Sequence, residues 1–215
     1  MTDRGIPFSG MMVRAIFAGR KTKTRRVIRV ASDFFSPDVP ISIRVEDLFA
    51  TFVQEQNGSR LTATTKIPYA VGDRLWIREA WHAPLGFDPR PPKAIPLGTP
   101  IFYQADGVPV GAGRYRPGRF MCRWMSRAFC VVEGVKVERL QEIGDEDARA
   151  EGVEYRIDGA WGTWNADGTQ RCGGSDDPRE AFRCLWININ GNGAWEANPW
   201  VAAYTFRTEK RNIDA

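Results

Sequence analysis

The sequence predicts an α+β protein: one domain built around a twisted, partly closed β-barrel with short helices at its rim. Three observations carry that expectation. Strand-like alternation dominates the middle of the chain, three short helical segments flank it, and the one proline-rich stretch is a stiff excursion rather than a linker between cores. The 215 residues are 43% apolar and include eight Trp, enough for a real core and unlike a disordered chain.

Ser9 can cap a first helix whose apolar positions are Met12, Ala15 and Ile16, and Gly19 supplies a left-handed stop. A strand then starts near Thr22, placing Thr22, Thr24, Arg26 and Ile28 on one face. Lys21 and Thr24 stand at an odd spacing, so they converge only if the turn after Gly19 bends Lys21 inward. Residues 31–66 lack strong periodicity and read as an insertion. After the Gly72-Asp73 turn, RLWIREAW puts Leu75, Ile77, Glu79 and Trp81 on one face, which aims the Glu79 carboxylate inward and demands a partner from elsewhere in the fold.

Six prolines between residues 84 and 100 exclude regular structure there, and strands resume at Ile101-Phe102-Tyr103. In 114–127 five arginines, at 114, 116, 119, 123 and 127, interleave with Tyr115, Phe120 and Trp124. That composition fits a single-strand-binding surface as well as it fits a barrel strand whose arginines flank core aromatics. Arg127 to Leu140 reads as one long strand with a bulge at Gly134. DEDARAEGV is a short helix with acids in its first turn, Gly152 at its end, and Glu151 where the helix dipole disfavours a carboxylate. This placement points to a functional role or a cationic partner for Glu151. Residues 154–177 form another Gly- and Asp-rich insertion. Asp177-Pro178 opens a third helix with Ala181, Phe182, Leu185, Trp186 and Ile189 on its core face, and VAAYTFRT is the closing strand.

The densest chemical signal is AGRKTKTRR. Seven Lys or Arg and no acid lie between Arg14 and Arg29, although the net charge of the whole chain is only +4. Unopposed cations repel one another, so the run is either compensated by an anion, such as nucleic acid, a nucleotide or phosphate, or is a solvated strand edge. Four scattered cysteines and the single His82 offer no tetrahedral metal set, and His82 beside Trp81 reads as structural. No cofactor motif is visible. Neither a signal peptide nor a span of about 20 apolar residues occurs, which gives the expectation of a cytoplasmic protein with reduced thiols and no membrane partner.

In this order the helix ending in AGRKTKTRR, the GDRLWIREAW strand, the long strand into DEDARAEGV and the VAAYTF strand resemble the ASCH family, a branch of the PUA-like β-barrel superfamily. The patterns PFS-x-x-MVRAI-x-AGRKT-x-TRR and W-x-x-INGNG-x-W-x-x-NPW are similar to those of the longer ASCH proteins of tailed phages and prophages. The resemblance covers both ends and most of the core, leaving the insertions at 31–66, 84–119 and 154–177 outside it.

That resemblance implies a site and two kinds of activity. Small bacterial members are amidohydrolases acting on N4-acetylcytidine and related nucleosides, through a Lys, a Thr three residues later and a Glu on the short helix. Lys21 and Thr24 fill the G-x-K-x-x-T spacing here, and Glu151 falls at A-x-x-E after Ala148. Other members bind or cleave RNA, so a non-catalytic RNA or single-stranded-DNA module and a ribonuclease stay open as alternatives. Arg20, Arg25, Arg26, Glu79, Arg116, Arg119, Arg123 and Trp124 are the accompanying candidates for substrate or phosphate binding. The arginines near Lys21 and its burial would lower its pKa; the attacking group, whether Thr24, Lys21 or water, stays open.

Overall fold

The computed structural model describes residues 2–31, 35–36, 38–155, 159–164 and 170–215. In chain order these form β1 (Asp3–Pro7), α1 (Gly10–Phe17), β2 (Lys23–Val27), β3 (Ile41–Glu46), β4 (Phe49–Gln56), β5 (Ser59–Lys66), β6 (Arg74–Arg78), β7 (Trp81–His82) and β8 (Phe102–Tyr103). They continue with β9 (Phe129–Arg139), α2 (Asp145–Ala150), β10 (Glu154–Tyr155), β11 (Trp161–Trp164), β12 (Gln170–Ser175), α3 (Pro178–Asn190) and β13 (Trp200–Glu209).

The α+β class holds. The central sheet has the order β1-β6-β9-β13-β2, with β1 and β6 parallel and the other neighbours antiparallel. The last strand is thus inserted between β9 and β2. Strands β1 and β2 are the edges, and no pairing among the described residues joins them, so the sheet is open. A side chain spans part of the gap: Arg26 Nη2 donates to Pro7 O at 3.1 Å.

Strand alternation divides the core in two. Ala202, Tyr204 and Phe206 of β13 join Ile6, Leu75, Ile77 and the α1 residues Val13 and Ile16 in the main core. Val201, on the opposite face, packs with Leu140, Ala148 of α2 and Phe182, Leu185 and Trp186 of α3. Each fully buried Leu, Ile or Phe contributes about 1.5–3 kcal/mol. The bulge in β9 lies where expected: Thr205 opposes Gly134 and Phe206 opposes Val132, leaving Glu133 as the extra residue.

The insertions are more ordered than the sequence reading has them. Strands β3, β4 and β5 form a meander whose Ala50, Phe52 and Ala63 are buried in the main core. Asn57 (φ 51°) and Gly58 (φ 76°) make its second turn, the Asn-Gly signal of a two-residue hairpin. In 84–119 irregular structure prevails, but β7 pairs with β8, and Trp81, Ala83, Ile95, Met121 and Met125 make a satellite core. The Arg-aromatic segment is not a strand. It turns in 3-10 fashion at Gly118–Phe120 and Arg123–Met125, because Pro117 removes a donor where a ladder would need one. Parts of 31–66 and 154–177 lie outside the described residues.

Strands β10, β11 and β12 form a further small sheet. It is tied to α3 by a disulfide between Cys172 and Cys184, with Cα atoms 5.7 Å apart. The expectation of reduced thiols fails for this pair, because packing β12 along α3 brings the two cysteines together; Cys122 and Cys130 remain free. Ile189, expected on the core face of α3, is 51% exposed, since the last turn of the helix runs past the core. No helix among the described residues is long and apolar enough to cross a membrane.

Candidate functional site

The turn after α1 positions the first site residue. Gly19 adopts φ 75°, and the backbone N–H groups of Arg20 and Lys21 both donate to Ala15 O, so the chain reverses and carries Lys21 inward. Lys21 is fully buried, and its Nζ donates to Lys23 O (2.8 Å), Glu151 O (2.8 Å) and Glu151 Oε2 (2.7 Å). Three N–H groups meet three acceptors. The approach needs Gly152 just beyond α2: its φ is +99°, and a Cβ there would stand 3.1 Å from the Cβ atoms of Lys21 and Ala15.

Glu151 thereby finds the cationic partners its place at the helix end demands. Its other oxygen, Oε1, accepts from Arg25 Nη1 at 3.1 Å. Arg25 is itself buried and reaches Glu138 Oε1 (2.7 Å) and Asp147 Oδ2 (2.6 Å) through Nη2. Lys23 pairs with Asp147, and Lys136 Nζ lies 2.6 Å from Glu138 Oε2. Burial lowers the pKa of Lys21, Glu151 opposes that fall, and Arg26 and Arg25 add to it. For Arg25, burial works in the same direction, but Glu151, Glu138 and Asp147 outweigh it and hold its pKa above the ordinary value.

Of this network, Arg25 and Glu151 border a cleft of about 490 Å³ at the β2 edge of the sheet. Phe8, Met12, Phe182, Leu185, Trp186 and Ile189 form apolar walls, and Thr24, Arg25, Arg26 and Glu151 supply the polar groups. Thr24 Oγ1 accepts from Arg26 Nη1 at 3.1 Å, which leaves the hydroxyl hydrogen to donate. Lys21 does not line the cleft; it stands behind the Glu151 carboxylate. An apolar slot with a few polar groups at one side suits a planar heterocycle.

The other candidates are placed elsewhere. Arg20 pairs with Glu154 at 3.2 Å in a half-exposed ion pair. Glu79 does turn inward, and its partner is Arg127 from β9's approach, at 2.9 Å and 3.1 Å, with Asp106 on the same guanidinium. Burial raises the Glu79 pKa against the pull of Arg127. This second cluster lines no part of the cleft. His82 is structural: Nδ1 meets Gly113 O and Nε2 meets Gln104 Oε1, each at 2.8 Å.

The expected Arg-aromatic binding surface does not form. Arg116 is 4% exposed, holds the carbonyls of Phe87 (2.9 Å) and Arg90 (3.1 Å), and stacks over Trp81. Arg123 is neutralised by Asp3 and Asp214, Arg119 lies over the Phe120 ring, and Trp124 packs on the satellite core. With Arg25 also buried among carboxylates, the five arginines at 25, 26, 116, 119 and 123 offer no common cationic surface. Sequence reasoning missed Phe8, Glu138, Asp147 and the cleft role of Phe182 and Trp186. Asp147 had a signal: Asp147 and Glu151 stand at i,i+4, on one helix face, opposite the basic run.

Comparison with protein-family models, with curated proteins and with solved structures gives no match.

Proposed function

We propose that the protein is an amidohydrolase that removes the acyl group from an N4-acylated cytidine-type base, on an ASCH-type, PUA-like framework. The observation that carries this reading is the meeting of Thr24 and Glu151 at one apolar-walled cleft, with Lys21 bonded to Glu151 from behind. The chemistry asks for a polarised carbonyl, an activated water and a proton for the leaving amine.

Glu151, fixed by Lys21 and Arg25, takes a proton from water, and the water oxygen bonds to the acyl carbon. The Thr24 hydroxyl, whose oxygen already accepts from Arg26, faces the carbonyl oxygen with its hydrogen and stabilises the oxyanion. The C–N bond then breaks, the proton held by Glu151 goes to N4, and the products are the free 4-amino base and a carboxylic acid. Lys21 acts as a positioning residue here: its three N–H groups are engaged, so as an ammonium it has no lone pair to offer. The cleft's Phe8, Phe182 and Trp186 hold the pyrimidine.

The reading is tested by incubating the purified protein with N4-acetylcytidine and following release of cytidine and acetate. Absence of turnover across a panel of N4-acylcytidines would sink it. The RNA- or single-stranded-DNA-binding alternative rests on the basic turn and the Arg-aromatic segment, and in the second of these Arg116 is buried and Arg123 is paired with Asp3 and Asp214.

A further inference from the structure

Most of the basic run is compensated from within the chain. Arg20 has Glu154, Lys21 has Glu151, Lys23 has Asp147, and Arg25 has Glu138, Asp147 and Glu151. Arg26 is different. It bonds only to Thr24 Oγ1 and to the carbonyls of Arg25 and Pro7, and no carboxylate among the described residues lies within 4 Å of it. Burial lowers its pKa, and the more distant Tyr69, Glu151 and Tyr204 offset that cost only in part.

A second such guanidinium stands across the open seam between β1 and β2. Arg4 shares the inward face of β1 with Ile6, and its described hydrogen bond runs from Nη1 to Pro68 O at 2.8 Å. No carboxylate among the described residues is within 4 Å of it either. Tyr69 follows Pro68, the residue that accepts from Arg4. Its ring is 5.2 Å from that of Tyr204, which opposes Thr24 in register, two residues before Arg26. Arg26 and Arg4 both act electrostatically on the Tyr69 phenol.

Tyr69 is 9% exposed; no hydrogen bond to its Oη occurs among the described residues, and that atom keeps some contact with solvent. Burial raises its pKa, so the phenol remains a donor at neutral pH. Two guanidiniums with unused N–H groups thus flank the seam where the sheet fails to close, and both influence the Tyr69 phenol. Arg26 and Pro7 also line the cleft, so this seam opens onto it.

We infer that the seam between β1 and β2 is an anion subsite, in which Arg4, Arg26 and Tyr69 take the phosphate of a nucleotide whose base occupies the cleft. This rests on reading the cleft as a cytidine-type base site, and it narrows the substrate from a nucleoside to a phosphorylated one. Several donors match the oxygens of a phosphate, and charge-assisted bonds of this kind are the strong ones.

The test is calorimetric titration of the protein with cytidine, cytidine 5′-monophosphate and inorganic phosphate at one fixed ionic strength, repeated with Arg4→Gln. The monophosphate is expected to bind the parent at least about tenfold more tightly than cytidine, as one or two charge-assisted hydrogen bonds provide. Arg4→Gln is expected to erase that advantage and leave cytidine binding unchanged. Equal affinities for the two on the parent protein, which needs no variant, would overturn the inference, as would an advantage that survives in Arg4→Gln. If cytidine itself fails to bind, the base reading of the cleft fails. Inorganic phosphate then decides the subsite alone: binding that Arg4→Gln removes supports it, and no binding overturns it.

Discussion

Lys21 Nζ lies 2.7 Å from Glu151 Oε2, across 130 residues of sequence and with both side chains shielded from solvent. The two residues lock the turn after α1 to the C-terminal end of α2. The same contact orients Glu151 at the cleft, while Lys21 is kept out of it. Structure and proposed chemistry therefore hang on one ion pair, and substitutions at its two ends should have different consequences.

Glu151→Gln should lower turnover of N4-acetylcytidine by at least about 100-fold, the usual effect of removing a general base. Lys21→Met should instead destabilise the fold by about 3 kcal/mol, because it leaves half of a buried pair. Urea denaturation of both variants beside steady-state assays separates the two roles. A Lys21→Met protein as stable as the parent, or a Glu151→Gln protein as active, contradicts the assignment.

Alkaline titration distinguishes Lys21 as a positioning ammonium from Lys21 as a base. Its pKa in the folded protein lies below the ordinary 10.5, because burial disfavours the charge. A positioning ammonium loses its hold on Glu151 as pH rises through that lowered pKa, so kcat/KM should fall there. Lys21→Arg, if it turns over substrate, should lack this descending limb. An activity that rises through the same region would make neutral Lys21 the base and overturn the reading.

Asp73 gives the fold an acid limit. It is buried and accepts from Thr2 N and Thr2 Oγ1 (each 2.8 Å) and from Ala70 N (3.1 Å). Burial alone would raise its pKa, but these bonds favour the carboxylate and bring it below the ordinary 3.8. Its stabilisation is fully present above pH 3.8 and is lost as pH falls through the lower, folded-state value. Asp73→Asn should cost about 1–3 kcal/mol at pH 7 and progressively less below pH 3.8. Chemical denaturation at several pH values checks it; a penalty independent of pH would not fit.

The Cys172–Cys184 bridge closes a loop with a sequence separation of 12. A loop of this size is worth about 3 kcal/mol in the chain-entropy account. Thiol titration of the unfolded protein should count two reactive cysteines before reduction and four after, and Cys184→Ser should lower the thermal midpoint. Four reactive thiols without reductant would show that the bridge does not form.

Arg116 tests the loss of the nucleic-acid surface. Arg116→Met removes the donor to the Phe87 and Arg90 carbonyls under Trp81. It should destabilise the satellite core by about 1–3 kcal/mol and leave any RNA affinity, and its salt dependence, unchanged. A shallower salt slope in filter-binding or fluorescence titration would restore Arg116 to a phosphate-binding role.

Much of the site was legible because its signals are local. A glycine at φ 75° followed by Lys21, a carboxylate at the wrong end of a helix dipole, and an inward Glu79 each follow from turn or strand geometry. The 41–66 meander was legible in part as well: Asn57-Gly58 announces a hairpin, and Ile41, Ile43 and Val45 alternate with Ser42, Arg44 and Glu46, a strand signal that reading 31–66 as an insertion overlooked. The Arg-aromatic run misled for the opposite reason. Composition cannot tell an arginine that meets solvent from one that caps buried carbonyls, and Arg116 does the latter.

The sequence by itself determined the α+β class, the three helices, the bulged long strand and the chemical identity of Lys21, Thr24 and Glu151, because backbone geometry and side-chain period act over a few residues. Only the tertiary structure decided which cations keep a carboxylate. Pairing β2 with β13 and laying α2 against it brings Glu138, Asp147 and Glu151 onto Lys21, Lys23 and Arg25, and leaves Arg26 with no carboxylate within 4 Å among the described residues. Charge compensation depends on distances between segments far apart in the chain, and those distances exist only once the sheet has formed.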